Sequence, residues 1–200
     1  MTNDTQNPLL AVRDLRTYFH TFSGTVKAVN GVSFEIGEGE VMGLVGESGG
    51  GKSVVGFSVL GLIDEPGKIE GGEILLDGQD LVTAGEDRLR EVRGREISMV
   101  FQDPMTSLNP LHTVGRQMDE VLRLHTKLDA DARHQACVEM LESVGISQAA
   151  ERLKAFPHQF SGGMRQRVVI AIALLARPRL IIADEPTTAL DVTIQSQILK

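Results

Sequence analysis

The chain is poor in cysteine and in long apolar runs, and both shortages exclude classes of protein. Cys137 is the only cysteine among 200 residues, so no disulfide can form within the chain. No run of about 18 apolar residues is present, so the sequence predicts no membrane-spanning helix. Residues 1–7 lack the basic and apolar regions of a signal peptide. We therefore expect a cytoplasmic protein that reaches a membrane only through a partner.

Basic residues are also scarce relative to acidic ones. The chain carries 20 Lys and Arg against 27 Asp and Glu, a formal net charge of -7. This balance argues against a general nucleic-acid binder, which needs clustered Lys and Arg to neutralise phosphates. Any phosphate recognition must therefore be local. The hydrophobic fraction of 42% and the charged fraction of 24% are typical of one globular domain with a sizeable core.

Hydrophobic periodicity divides the chain into strand-rich and helix-rich parts. It predicts strands over residues 10–19, 26–34, 41–45, 72–76, 97–101 and 180–183, and helices over residues 54–62, 86–93, 114–144 (two or three) and 162–176. The runs 41–45 and 180–183 are almost wholly apolar, which predicts strands buried on both faces of a parallel sheet. The helical stretch 102–160 predicts an inserted helical subdomain, and no linker separates a second domain.

A glycine-rich segment follows the apolar run 41–45. Its residues are Gly46, Glu47, Ser48, Gly49, Gly50, Gly51, Lys52 and Ser53, which fit the phosphate-loop pattern. Glycines let successive backbone N–H groups turn inward at the positive end of the next helix, where they cradle phosphates. Lys52 would supply charge to the β- and γ-phosphates, and the Ser53 hydroxyl would bind Mg²⁺. The alternative is a plain glycine-rich turn between a strand and a helix.

Two carboxylates, Asp184 and Glu185, follow the apolar run 180–183. The end of such a strand is where a parallel sheet opens towards its ligand. Asp184 would hold Mg²⁺, and Glu185, one residue further on, could polarise a water that attacks the γ-phosphate. The alternative is that the pair ends a strand and begins a turn at Pro186.

The stretch from Phe160 to Arg167 resembles the signature motif of ABC ATPases. Ser161 is a good N-cap, and Gly162 and Gly163 expose N–H groups at the start of the predicted helix 162–176. In that family this second anion site closes over the γ-phosphate held by the opposite subunit. Phe160 and Met164 depart from the commonest signature in the way typical of the peptide-permease branch. A helix N-cap without a ligand is the alternative.

The same resemblance implies roles for further residues. Gln102 matches the glutamine that contacts Mg²⁺ and the attacking water, and Asp191 matches a loop residue that meets its counterpart across the dimer. Asp191 could equally cap a terminal helix. Either Tyr18 or Phe19 could stack on adenine, and core packing is the alternative for both.

The family also uses a histidine beyond the acidic pair, and this sequence has none there. Its histidines, all upstream of Asp184, are His20, His112, His125, His134 and His158. In the family fold the strand leading to that histidine lies between the phosphate-loop strand and the acidic-pair strand. We therefore expect the chain to be the N-terminal part of a longer subunit.

Together these patterns predict an α/β fold: a RecA-like phosphate-loop core with an N-terminal antiparallel β-subdomain and an inserted helical subdomain, incomplete at its C-terminus. The whole chain, 1–200, would be one truncated domain, with residues 1–101 and 161–200 forming the core and residues 102–160 the helical part. The resemblance implies an ATPase that binds ATP and Mg²⁺ and powers an importer, most specifically for peptides.

The implied partners are a second ABC ATPase subunit, identical or paralogous, transmembrane permease subunits and, indirectly, a solute-binding protein. The implied location is peripheral, at the cytoplasmic face of the plasma membrane. Two other functions stay open: an ABC ATPase unconnected with transport, and a truncated fragment that binds nucleotide without turnover. The cargo, whether peptide, nickel, glutathione or another solute, is not encoded in this chain's motifs.

Overall fold

The computed structural model describes residues 7–101 and 107–185. Gln102 and Asp191, both predicted to act in the site, lie outside the described residues. The chain divides into two compact units, one ending at Val92 and the other beginning at Arg93. The division into a core and a helical subdomain at residues 102 and 160 stays a prediction.

The first unit is built on a four-stranded antiparallel sheet in the order β2-β1-β3-β4. Its strands are β1 (Leu10–Thr21), β2 (Gly24–Ile36), β3 (Gly67–Leu76) and β4 (Gln79–Asp80). The side chains of Leu10, Leu15 and Ile74 are fully buried and supply its core. The sheet confirms the predicted antiparallel β-subdomain.

Two helices belong to this unit, α1 (Lys52–Val59) and α2 (Glu86–Val92). α1 is fixed on the sheet by apolar packing and by one buried polar pair: Thr17 Oγ1 lies 2.8 Å from Ser58 Oγ. Both side chains are shielded from water, at 0% and 2% exposure. A buried hydroxyl without a hydrogen-bond partner would destabilise the fold, so this pair fixes where α1 lies along β1. α1 begins at the phosphate loop.

The predicted strand 41–45 is not formed within the part of the chain that the structure describes. Val41 and Val45 are 97% and 93% exposed, and residues 41–45 pair with none of the described strands. The prediction of a strand buried on both faces is therefore wrong for this structure. An apolar run becomes a strand only when neighbouring strands bond its N–H and C=O groups, and no described segment does so here.

The second unit combines a short parallel sheet with a helical bundle. Its strands are β5 (Ile97–Val100) and β6 (Leu180–Ala183). Its helices are α3 (Val114–His125), α4 (Ala130–Ser143), α5 (Ala149–Arg152) and α6 (Gly162–Leu175), with a 3-10 turn at Pro157–Gln159. Met118, Leu141 and Val168, at 0% exposure, centre a core shared by α3, α4 and α6. This bundle confirms the predicted helices.

β6 forms over the residues predicted for it and pairs in parallel with β5, but it is less buried than expected. Ile181 is 41% exposed and Ala183 is also exposed, so the prediction of burial on both faces is wrong. Among the described residues β6 has one neighbouring strand, because the second sheet is two-stranded. A strand at a sheet edge keeps part of its surface in contact with solvent.

Cys137 lies in the helical core, at 2% exposure. Burial raises the pKa of its thiol to about 11. Since the thiolate is the reactive form, this cysteine is a packing residue. None of the helices in the described ranges is both long and apolar enough to cross a membrane.

Candidate functional site

The phosphate loop takes a left-handed conformation, which favours glycine, at two of its positions. Gly49 and Gly51 have φ of 78° and 83°, in the left-handed region. A Cβ on Gly51 would lie 2.2 Å from the carbonyl oxygen of Ala28 in β2, closer than any real contact. The loop therefore packs its backbone directly against the sheet. Both the left-handed φ at position 51 and the nearby Ala28 carbonyl therefore require glycine there.

The side chain of Lys52 folds back over the loop. Its Nζ donates to the carbonyl oxygens of Gly46 at 3.0 Å and Glu47 at 2.9 Å. The Gly50 N–H in turn donates to the Glu47 carbonyl at 3.0 Å. These bonds hold the cationic group over the Gly46–Glu47 part of the loop, where a phosphate cradled by the loop would meet it.

α1 begins directly after the loop and leaves its positive end uncompensated. Gly51 occupies the N-cap position without a side chain, and the first turn of α1 carries no acidic residue. Free N–H groups and the helix dipole together favour an anion at such a helix start. Lys52 and the helix start thus both supply positive charge, as a polyphosphate requires.

The two aromatic side chains considered for adenine have different surroundings. The Tyr18 hydroxyl donates to Asn30 Oδ1 at 2.6 Å, and Lys27 Nζ lies 5.4 Å from the centre of its ring. The Phe19 ring packs at Gly67, where an added Cβ would approach Cε1 to 2.6 Å. Both rings already contribute to the β-subdomain, and an adenine contact by either one stays a prediction.

The acidic pair follows β6 at the carboxyl edge of the parallel sheet. Val100 pairs with Ala183 in register, and the Asp184 N–H donates to the Val100 carbonyl at 2.9 Å. β5 and β6 therefore end at the same edge. Asp184 is placed there directly, and the predicted neighbour Gln102 comes two residues after the end of β5, outside the described residues.

Glu185 is held in an unusual backbone conformation. Its φ of 48° lies in the left-handed region, which costs a non-glycine residue of the order of 1–3 kcal/mol. Its backbone turns away from the strand path at this residue. Asp14, Asp77, Gln148 and Arg177 share this feature, so the backbone conformation alone does not identify a catalytic residue, and the role of Glu185 stays a prediction.

The third predicted site lies at the start of α6. Ser161 is the N-cap, and its hydroxyl accepts from the Met164 N–H at 3.3 Å. Gly162 follows in an ordinary helical conformation, and an added Cβ would find no atom within 4 Å. The first turn of α6 contains no acidic residue. Ser161 is thus confirmed as an N-cap. The start of α6 is a second helix start that is open to an anion.

Arg165 is a contributor to this loop that the sequence analysis missed. Its Nε donates to the carbonyl oxygens of Pro157 at 2.9 Å and Phe160 at 3.0 Å. A cation in the first turn of a helix opposes the helix dipole. An arginine at that position in the sequence was therefore a sign that its side chain has a specific hydrogen-bond partner. Arg165 fixes the backbone that leads into Ser161.

Among the described residues no cluster of three or more His, Cys, Asp or Glu side chains could hold a metal alone. Mg²⁺ is usually bound by one or two side chains together with phosphates and waters. A Ser hydroxyl and an Asp carboxylate are oxygen donors of the kind that Mg²⁺ accepts, and a Mg²⁺ role for Ser53 and Asp184 stays a prediction.

Comparison with known proteins gives a consistent result. Residues 29–188 match the family model described as ABC transporter. The chain is 55% identical to the oligopeptide transport ATP-binding protein OppD of Bacillus subtilis, over 96% of this chain and 54% of that protein. It is 54% identical to the peptidoglycan transport ATP-binding protein YejF of Agrobacterium fabrum, over 100% of this chain and 37% of that protein. The chain thus spans about half the length of these relatives or less.

Solved structures extend the comparison to the fold. A dimeric post-hydrolysis state of the ATP-binding cassette MJ0796, bound to ADP and Pi, superposes with a TM-score of 0.85 at 28% identity, covering 95% of this chain and 79% of that one. A second dimeric structure of the same cassette gives 0.84. The chain therefore has the fold of an ABC ATPase cassette, which confirms the predicted fold class.

Proposed function

The chain belongs to the ABC transporter family, and on that basis we propose that it is the ATP-hydrolysing part of a peptide importer. The observation that carries the proposal is the phosphate loop. Gly51 packs against β2 where no side chain fits, Lys52 Nζ lies over the Gly46 and Glu47 carbonyls, and the first turn of α1 carries no acidic residue. These features together form a polyphosphate cradle.

The loop binds the triphosphate through backbone N–H groups of residues 46–53, and Lys52 exchanges its carbonyl contacts for the β- and γ-phosphates. Ser53, Asp184 and Gln102 are the residues that would hold Mg²⁺. When bound, that ion neutralises charge on the phosphate oxygens. Ser53 and Asp184 are oxygen donors of the kind Mg²⁺ prefers.

Glu185 acts as the general base, and Gln102 orients the attacking water. The carboxylate takes the proton of that water as the water oxygen attacks the γ-phosphorus, and the bond to the β,γ-bridging oxygen breaks. Base catalysis of this kind contributes about 10²- to 10⁴-fold to the rate. The position of Glu185, directly after Asp184 at the carboxyl edge of the parallel sheet, supports the assignment.

Two copies, or this subunit and a paralogue, sandwich the nucleotides. Ser161, Gly162 and Gly163 of one chain close on the γ-phosphate bound by the facing chain, and Asp191 lies at the contact between them. The open space around Gly162 and the dimeric form of the similar cassettes support this arrangement.

The partners are transmembrane permease subunits, which place the protein at the cytoplasmic face of the membrane, and a solute-binding protein acts upstream of them. Peptide is the proposed cargo class because relatives named for oligopeptide and dipeptide transport are 55% and 52% identical. A peptidoglycan-transport relative is almost as similar, at 54%, so the binding protein must select the cargo.

Glu185→Gln tests the catalytic assignment. The substitution removes the base but keeps the shape and the loop, so hydrolysis should fall about 10²- to 10⁴-fold while ATP binding persists. Glu151→Gln, an exposed glutamate on α5, is the matched control and should hydrolyse normally. ATP binding without hydrolysis in the unsubstituted protein would reduce the assignment to nucleotide binding, and equal turnover in Glu185→Gln would remove the proposed base.

A further inference from the structure

Two hydroxyl groups are buried where α1 packs on the first sheet. Thr17 lies on β1 two residues after the buried Leu15, and Ser58 lies on α1 between the buried Val55 and Val59. These spacings belong to the apolar face of a strand and of a helix, where an apolar side chain would pack without any polar group. The two hydroxyls therefore add what apolar packing does not, a contact with one required geometry.

The hydrogen atoms of this pair can be assigned from a second bond. Ser58 Oγ lies 2.7 Å from the Val54 carbonyl oxygen, which only accepts. Ser58 therefore donates its single hydroxyl hydrogen to Val54. Thr17 Oγ1, 2.8 Å from Ser58 Oγ, must then donate to Ser58. The hydrogen bonds run in one direction, from β1 through Ser58 to the first turn of α1.

The two ends of this chain of bonds lie beside the two ends of the predicted nucleotide site. Val54 directly follows Ser53 of the phosphate loop. Thr17 directly precedes Tyr18 and Phe19, the two rings considered for adenine. The bonds therefore connect the strand that carries both candidate adenine rings with the helix turn that carries the predicted phosphate and metal ligands.

α1 is also held at its start. Gly51 packs against the carbonyl oxygen of Ala28 in β2, with no room for a side chain. Ser58 lies two turns further along, about 10 Å away at the rise of an α-helix. A single contact would let this helix of eight residues pivot on the sheet, whereas contacts near both ends set its direction. The bond from Thr17 to Ser58 supplies the contact near the second end.

We propose that Thr17 and Ser58 are positioning residues for nucleotide binding, because their bond sets how the candidate adenine rings on β1 lie relative to the phosphate loop. This inference rests on the proposed function and on the predicted adenine contact. A ligand that uses only the phosphate loop does not depend on this arrangement. A nucleotide that meets both sites does depend on it, since sites already held in the bound arrangement cost less affinity to assemble.

The two hydroxyls contribute unequally to stability, which allows positioning to be separated from folding. Ser58→Ala leaves the Thr17 hydroxyl hydrogen without a buried acceptor, so the urea midpoint of unfolding should fall clearly. Thr17→Val leaves only an acceptor unused, and the midpoint should fall less. The double variant Thr17→Val, Ser58→Ala should regain most of the midpoint, since replacing both partners by apolar groups is nearly neutral.

ADP and pyrophosphate then measure positioning without hydrolysis. In the whole protein as expressed by its host, the double variant should bind ADP about tenfold more weakly by isothermal titration calorimetry, because the lost bond is worth roughly that factor. Its Kd for pyrophosphate should stay unchanged. Thr17→Ser keeps the hydroxyl and should bind ADP normally. Thr83→Val is the matched control: the Thr83 hydroxyl bonds Asp80 in the same unit at 2.9 Å, and both Kd values should be unaffected.

Two results would overturn the proposal. An unchanged Kd for ADP in the double variant would make the pair a packing feature only, and equal losses for ADP and pyrophosphate would place the effect in the phosphate loop itself. If the double variant did not fold, Thr17→Val alone would carry the same comparison with the same two ligands. Failure of the unsubstituted protein to bind either ligand would remove the proposed function as well, whereas equal binding by both proteins would remove this inference alone.

Discussion

The phosphate loop and the Ser161 loop both present a helix start to an anion, but they need glycine for different reasons. At Gly51 the protein's own backbone demands it, through a left-handed φ of 83° and the carbonyl of Ala28. At Gly162 the described part of the chain demands nothing, since an added Cβ would meet no atom within 4 Å. At Gly162 the space of a side chain is therefore left open, where the proposed function places the facing chain's γ-phosphate.

This comparison predicts its largest effect at Gly51. Gly51→Ala combines backbone strain with a clash against the β2 backbone, so the free energy of unfolding should fall by about 2–5 kcal/mol. Urea denaturation without nucleotide measures the change. An unchanged midpoint and slope would show that the loop and sheet separate at no cost.

Gly49→Ala separates the two causes. Gly49 has φ of 78° but no atom within 4 Å of an added Cβ, so only strain remains. We expect a loss of about 1 kcal/mol in the same urea experiment. A loss as large as that of Gly51→Ala would mean that the contact with Ala28 contributes little.

Gly162→Ala should instead lower activity without lowering stability. Alanine favours a helix over glycine by up to about 1 kcal/mol, so the free energy of unfolding should stay the same or rise. Under the proposed function, ATP turnover should nevertheless fall at least about tenfold, because the methyl group would occupy the space proposed for the nucleotide of the facing chain. A stabilised variant with normal turnover would make Gly162 an ordinary helix residue.

Ser161→Ala should change stability by about as little as Gly49→Ala. Removing an N-cap side chain costs about 1 kcal/mol, measured as a lower midpoint of unfolding. Ser161→Thr keeps the hydroxyl and serves as the control, since threonine also caps helices. If alanine and threonine behaved alike, the bond from Met164 N–H would contribute nothing.

Much of this comparison was accessible from the sequence because it rests on local patterns. Hydrophobic periodicity placed α6 and β6 within a residue, and the glycine and lysine spacing located the phosphate loop. The burial of residues 41–45 and of Ile181 was predicted wrongly, because burial of a strand depends on neighbours that a single run of residues does not encode.

The contacts of Arg165 and of the pair Thr17 and Ser58 were also beyond the sequence. Arg165 bonds backbone carbonyls, and any residue can supply a carbonyl, so no partner is visible in the pattern of residue types. The contact of Thr17 with Ser58 likewise depends on how α1 packs on β1. Such contacts appear only when the helices and strands are arranged in three dimensions.

The central claim is that the phosphate loop of one chain and the Ser161 loop of a second chain meet in a dimer. Its most direct test is to cross-link these two loops. Ser48→Cys and Ser161→Cys are introduced into a Cys137→Ala, Glu185→Gln background, which removes the native thiol and slows hydrolysis. We predict that oxidation with ATP and Mg²⁺ yields a disulfide-linked dimer through residues 48 and 161, and that oxidation without nucleotide does not. Equal amounts of linked dimer with and without ATP, or none in either case, would contradict the account.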